Sequence, residues 1–169
     1  NGNGTTKWIN VNLPPDPDFN VPEKICAGTN IIATEISLYP AYGFGENCLI
    51  DYSVKWEVKF PGDQVFEEIV YDDINSPYYG WVTFDSNSGQ SILTIPSGWT
   101  TISGCYEIKL TVNIPEGCDA FPNITKTVIV EPQPDAAFTY TTPANLCAPV
   151  TLTFTNTSNT EAIADPCKD

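Results

Sequence analysis

The chain has 169 residues, 21 acidic against seven basic, and a formal net charge of −14; every basic residue is a lysine, and arginine, histidine and methionine are absent. That balance excludes a nucleic-acid surface, which needs a basic face to displace phosphate counterions, and makes an anionic membrane surface an equally poor partner. Without histidine there is neither histidine-based catalysis nor histidine metal ligation.

A hydrophobic fraction of 41% with 12% aromatic residues is enough to build a core. No run of about 18 apolar residues occurs, so no segment reads as a membrane-spanning helix. In chain order, Ile31 to Tyr39 reads as a strand. Tyr52 to Phe60 alternates with period two and places Tyr52, Val54, Trp56, Val58 and Phe60 on one face. Val65 to Tyr71, Gly80 to Phe84 and Ser91 to Ile95 follow, then the long alternating run Tyr106 to Ile114, and Thr125 to Val130 closes the set. Pro61-Gly62-Asp63, Asn75-Ser76-Pro77, Asp85 to Gly89 and Pro115-Glu116-Gly117 punctuate the gaps as turns. Helical periodicity is missing throughout. The pattern predicts an all-β, two-sheet antiparallel sandwich.

An internal repeat organises these elements. Thr6 to Phe19 matches Thr125 to Phe138, with Lys7 opposite Lys126, Val11 opposite Val130, Pro15 opposite Pro134 and Phe19 opposite Phe138. Cys26 then meets Cys147 with two residues inserted, and both copies run into β-type stretches, Ile31 to Leu38 and Val150 to Phe154. Self-similarity at a fixed period signals an array of similar units. Residues 1–13 are expected to be the last strand of a preceding module, 14–132 a complete sandwich, and 133–169 the opening of a following one. The chain is then expected to be a fragment of a longer array, because two strands cannot bury a core alone.

Six cysteines, Cys26, Cys48, Cys105, Cys118, Cys147 and Cys167, are scattered without any C-x-x-C pair. Such usage predicts disulfides in an oxidising compartment and leaves fifteen pairings open.

Pro134 to Phe138, followed by Cys147-Ala148-Pro149-Val150-Thr151-Leu152-Thr153-Phe154-Thr155-Asn156-Thr157-Ser158, resembles the opening of a PKD-type sandwich module of large secreted Bacteroidota proteins. Gly104-Cys105-Tyr106-Glu107-Ile108-Lys109-Leu110-Thr111-Val112 is similar to that family's Gly-x-Tyr-x-Val-x-Leu-x-Val strand, and Gly117-Cys118 follows it as the family pattern has it. The middle of the module departs from the pattern. Trp56-Glu57-Val58-Lys59-Phe60-Pro61-Gly62-Asp63 stands where the family has Trp-Asp-Phe-Gly-Asp-Gly, so the tight glycine turn after Trp56 is not expected, and surplus length falls between Pro61 and Trp99. The resemblance implies a PKD/Ig-like fold and a Cys26–Cys118 disulfide, leaving Cys48–Cys105 as the next pair. Cys147 then awaits a partner in its own module, with Cys167 as a substitute.

Three groups merit weighing as sites. Asp63, Glu67, Glu68, Asp72 and Asp73 supply carboxylates that suit calcium or glycosidase chemistry, but a solvated, charge-blunted edge explains them more simply. Asp85-x-Asn87-x-Gly89 has half an EF-hand spacing, yet the twelfth position is Pro96, and a hairpin turn is the reading adopted. Tyr78, Tyr79, Trp81 and Trp99 form the candidate ligand surface, as aromatic rings beside turns suit sugar stacking. Neither a catalytic centre nor a cofactor is expected, with structural calcium the one metal considered.

The resemblance implies a non-catalytic, extracellular module of a bacterial cell-surface adhesin of the gliding-motility (SprB-like) type, exported by the type IX system. Its expected partners are adjacent modules of the same chain, surface polysaccharide and the secretion or gliding machinery. An accessory module of a secreted hydrolase or protease is the second expectation.

Overall fold

Strand formation follows the alternation read above, and a computed structural model of the chain describes residues 14–39, 52–113, 122–142, 149–159 and 167. The described strands are β1 (Phe19–Asn20), β2 (Lys24–Cys26), β3 (Ile31–Glu35), β4 (Ser53–Lys59), β5 (Glu67–Glu68), β6 (Val82–Phe84), β7 (Ser91–Ile95), β8 (Gly104–Asn113), β9 (Asn123–Glu131), β10 (Phe138–Thr141) and β11 (Thr153–Asn156). The first nine build two sheets, ordered β1-β3-β7-β6 and β2-β9-β8-β4-β5, and β10 pairs with β11 in a separate hairpin. This is the order of an immunoglobulin-like sandwich, in which the first strand divides itself between the two sheets.

Two more features of that fold are present. Trp56, on β4, is fully buried with Tyr106, Leu93, Ile95 and Ile108 between the sheets. Its indole N–H donates to Ser91 Oγ at 2.7 Å, and Phe19 packs edge-on against its ring at 5.2 Å. Tyr106, near the start of β8, shares its one hydroxyl proton between the carbonyls of Trp99 (2.9 Å) and Ile102 (3.0 Å), the corner geometry typical of such sandwiches. Two residues beyond this tyrosine, where antibody domains carry a cysteine, Ile108 fills the core.

Among the described strands the pairing is antiparallel except at one place: β2 runs parallel to β9, from Lys24↔Ile129 to Cys26↔Glu131. The antiparallel sandwich expected from the sequence forms, and this short parallel pairing is added at its edge. Pro22 and the turn at Ala27-Gly28 confine β2 to three residues, which cross to the second sheet beside β9. The strand expected at Val65 to Tyr71 contracts to β5, two residues on the edge of its sheet. The turn after Trp56 is kept with different residues. Asp63 N–H donates to the Phe60 carbonyl at 3.0 Å, with Pro61 and a positive-φ Gly62 at its centre. Gly104 faces the same corner; a Cβ there would come within 2.8 Å of the Pro61 side chain, which explains the glycine before Tyr106.

The cysteine pairing also differs from expectation. Cys105 is on the outward-facing alternation of β8, and Cys167 meets it there with Cα atoms 5.4 Å apart, forming a disulfide. Cys105 is therefore not paired with Cys48, which lies outside the described residues, as do Cys118 and Cys147. Cys26 is exposed and forms no disulfide among the described residues.

The repeat has a structural counterpart in the pairing of β10 with β11. Phe19↔Glu35 and the bridge Asp16↔Leu38 in the first copy recur as Phe138↔Asn156 and Asp135↔Asn159 in the second. Ile36 N–H donates to the Asp18 carbonyl at 2.8 Å, and Thr157 N–H to the Ala137 carbonyl at 2.9 Å. Ser37 Oγ brackets the Asp18 backbone as Ser158 Oγ brackets that of Ala137. One contrast separates the copies: Phe19 is 0% exposed and Phe138 is 62% exposed.

Lys126 of β9 ties the sheets together at their edge. Its ammonium lies 2.6 Å from Asp18 Oδ1, donates to the Phe19 carbonyl and sits 5.1 Å from the Phe19 ring centroid. The hydrogen bond from Lys126 holds the Asp18 carboxyl below the usual carboxylate range. A depressed folded-state pKa adds stability above the unfolded value and loses it as pH falls through the folded one. Asp18→Asn is thus expected to lower stability at neutral pH, by under about 1 kcal/mol for so exposed a pair, and to match the parent near pH 2. Urea melts at both pH values check it. Tyr106→Phe removes the donor that Trp99 and Ile102 share and is expected to cost about 1–3 kcal/mol, read as a shifted urea midpoint at constant slope, whereas Tyr140→Phe on the exposed hairpin leaves the midpoint in place.

Candidate functional site

Strand ends divide the loops into two groups. At one end lie the turn after β4, residues 78–81 and the β7–β8 connection; at the other lie the approach to β4, Tyr71, the β6–β7 turn and the residues following β3.

The first end holds the aromatic residues singled out from sequence. Tyr78, Trp81 and Trp99 pack against one another with ring centroids 4.9 to 5.5 Å apart, and Phe60 joins all three. Trp81 is buried, while Trp99 keeps an exposed edge and Tyr79 is exposed outside the cluster. Most of these faces are spent on each other, so the cluster closes the end of the core and leaves little stacking surface. Tyr78 also donates its hydroxyl to Glu67, and its pKa is pushed up to about 12 by burial and then by that carboxylate.

The acidic residues are dispersed in their roles. Glu67 accepts from Tyr78, Glu68 lies 3.8 Å from Lys55, and Asp73 Oδ1 accepts the Asn75 N–H at 2.9 Å. No group of three or more potential metal ligands forms among the described residues. Asp85 Oδ1 accepts the N–H groups of Asn87 (2.9 Å) and Ser88 (2.7 Å), and Gly89 has φ 72°. This is a hairpin turn capped by its own aspartate, as expected, and the bonds from Ser88 and Asn87 lower the Asp85 pKa.

The second end carries a feature that motif reading missed, a cleft of about 640 Å³. Its walls include Tyr39, Tyr52, Tyr71 and Phe84, with Tyr39–Tyr52 centroids at 4.8 Å and Tyr71–Phe84 at 5.6 Å. Glu35, only 5% exposed, closes its base. Glu35 Oε2 accepts the Ser91 N–H at 3.2 Å and Oε1 accepts the Tyr39 hydroxyl. Burial, and then that carboxylate, keep the Tyr39 hydroxyl protonated well above its ordinary range. The signal for this site was present in the strand pattern. Ile31, Ala33 and Glu35 share the inward face of β3, and a carboxylate at an inward position demands an explanation.

No protein-family model matches the sequence, and no curated protein does. Among solved structures, murine CRIg aligns with 20% identity and a TM-score of 0.41 over 68% of this chain and 97% of its own. A marsupial T cell receptor aligns with 17% identity and a TM-score of 0.40 over 76% of this chain and 38% of its own.

If the aromatic end is a plug for the core, Trp81→Ala costs about 3–5 kcal/mol while Tyr79→Ala stays within about 0.5 kcal/mol. Denaturant melts of the two variants separate a plug from a free platform, for which the order would be reversed.

Proposed function

We propose that the chain is a non-catalytic structural and adhesive unit of a large secreted bacterial surface protein, built of serial sandwich modules that hold a contact surface away from the cell. The observation that carries this reading is the recurrence of one edge motif, hydrogen bond for hydrogen bond, in β1–β3 and in β10–β11. An isolated two-stranded hairpin is marginal in water, and this one exposes Phe138, Tyr140 and Phe154. Residues equivalent to these are covered in the first copy, so the hairpin is read as the opening of a further module.

The joint between the copies supports a stiff array. Glu131 carbonyl accepts the Ala27 N–H at 2.7 Å, and Gln133 Nε2 donates back to the Ala27 carbonyl at 2.9 Å. Pro132 and Pro134 limit the remaining backbone freedom, so modules joined this way keep their relative orientation. The Cys105–Cys167 disulfide fits an oxidising, extracellular setting. Export by the type IX system and a gliding-adhesin role rest on the resemblance to PKD-type modules of Bacteroidota. A second reading, an accessory module of a secreted hydrolase that guides it to polysaccharide, draws on the exposure of Tyr79 and Trp99.

Reading the coding sequence on both sides of these residues tests the proposal. Further copies of the Pro-Asp-x-x-Phe opening at a period near that of the present repeat are the expected result. A flanking domain with a histidine- or carboxylate-based active site would overturn it in favour of the accessory module.

A further inference from the structure

We infer that the cleft beyond β3 is a receptor for an alkylammonium group, the protein-borne form of which is the side chain of an exposed lysine on a partner. The inference starts from a carboxylate with no cation beside it among the described residues. Glu35 is buried, and its two donors among those residues, the Tyr39 hydroxyl and the Ser91 N–H, are both neutral. Every lysine among the described residues is committed elsewhere: Lys24 to Glu131, Lys55 and Lys109 to Glu57, Lys59 to Glu107 and Lys126 to Asp18. A buried carboxylate is ordinarily matched by a cation, because desolvating it alone is costly. Each carboxylate oxygen carries two lone pairs, so one accepted bond apiece leaves capacity for a further donor.

The walls suit the same ligand. Tyr39, Tyr52, Tyr71 and Phe84 surround the opening with aromatic rings, whose negative faces attract ammonium groups while their carbon surface accepts an alkyl stem. A volume of about 640 Å³ is within the range of small-molecule sites. Calcium fits poorly, because it takes six to eight oxygen ligands and no group of three acidic ligands forms among the described residues. A neutral sugar leaves the Glu35 charge uncompensated. A chain of net charge −14 also draws cations toward it, which speeds encounter with a basic partner.

The test uses the 169-residue chain, labelled with nitrogen-15 and titrated with N-acetyl-lysine-N-methylamide. The Ser91 amide, which donates to Glu35, is expected to shift saturably with millimolar affinity, and the norleucine analogue, which lacks the ammonium, to bind at least tenfold more weakly. Glu35→Gln keeps the shape and an acceptor oxygen but removes the charge, and is expected to weaken lysine-amide binding tenfold or more. Tyr71→Leu removes one aromatic wall at a half-exposed position that does not contribute to the core, and is expected to weaken it several-fold even if Glu35→Gln fails to fold. An unmoved Ser91 amide, equal binding of the norleucine analogue, or shifts produced by calcium chloride and not by the lysine amide would each overturn the inference. The modular reading is untouched by these outcomes, since it stands on the hairpin.

Discussion

The hydrogen bond from the Trp56 indole to Ser91 Oγ is the contact on which the rest of the structure turns. It joins β4 in one sheet to β7 in the other, inside a core that is mostly aliphatic and aromatic. A nondirectional core fixes how much surface is buried but not how two sheets are turned against each other. A buried N–H does, because leaving it unpaired costs a full desolvation penalty. Phe19 then has one place to pack, edge-on to the indole, and Lys126 locks that strand from the far side. Ser91 also offers its backbone N–H to Glu35, so the same residue orients the core tryptophan and the base of the cleft. Disturbing one is felt by the other.

The two ends of the sandwich are built in opposite ways. At one, rings from three separate segments fill the gap between the sheets and bond to one another, a closed arrangement with little surface left over. At the other, rings stand in two pairs around a depression, with a carboxylate beneath them. Loops carry recognition when a rigid scaffold positions them, and here the scaffold reaches the depression directly through β3 and β7. The end that stood out in the sequence by its aromatic density also closes the core, through Trp81 and Phe60.

Much of the sandwich was legible because the sequences of β4 and β8 alternate and each buries one face. β1 and β2 were not, since two- and three-residue strands between Pro17 and Pro22, and just beyond, are too short for a period to show. Only the closed structure reveals that they sit in different sheets. Cysteine connectivity was equally hidden: Cys105 points outward from β8, and what meets it depends on the path of the tail. Glu35 could have been found by asking which polar residue occupies an inward position. Motif spacing drew attention instead to Asp85 and the acidic run, whose side chains cap turns or pair with local neighbours.

The Cys105–Cys167 bond has a mechanical meaning. It encloses the β10–β11 hairpin within a covalent loop spanning a sequence separation of 62. Tension arriving through the tail passes across the sulfur atoms into β8, flanked along its length by β4 and β9. The hairpin carries none of that load. The strand that does is gripped on both sides by antiparallel ladders, so a pull that slides it lengthwise must shear many hydrogen bonds together. A force applied at Cys167 thus bypasses the hairpin.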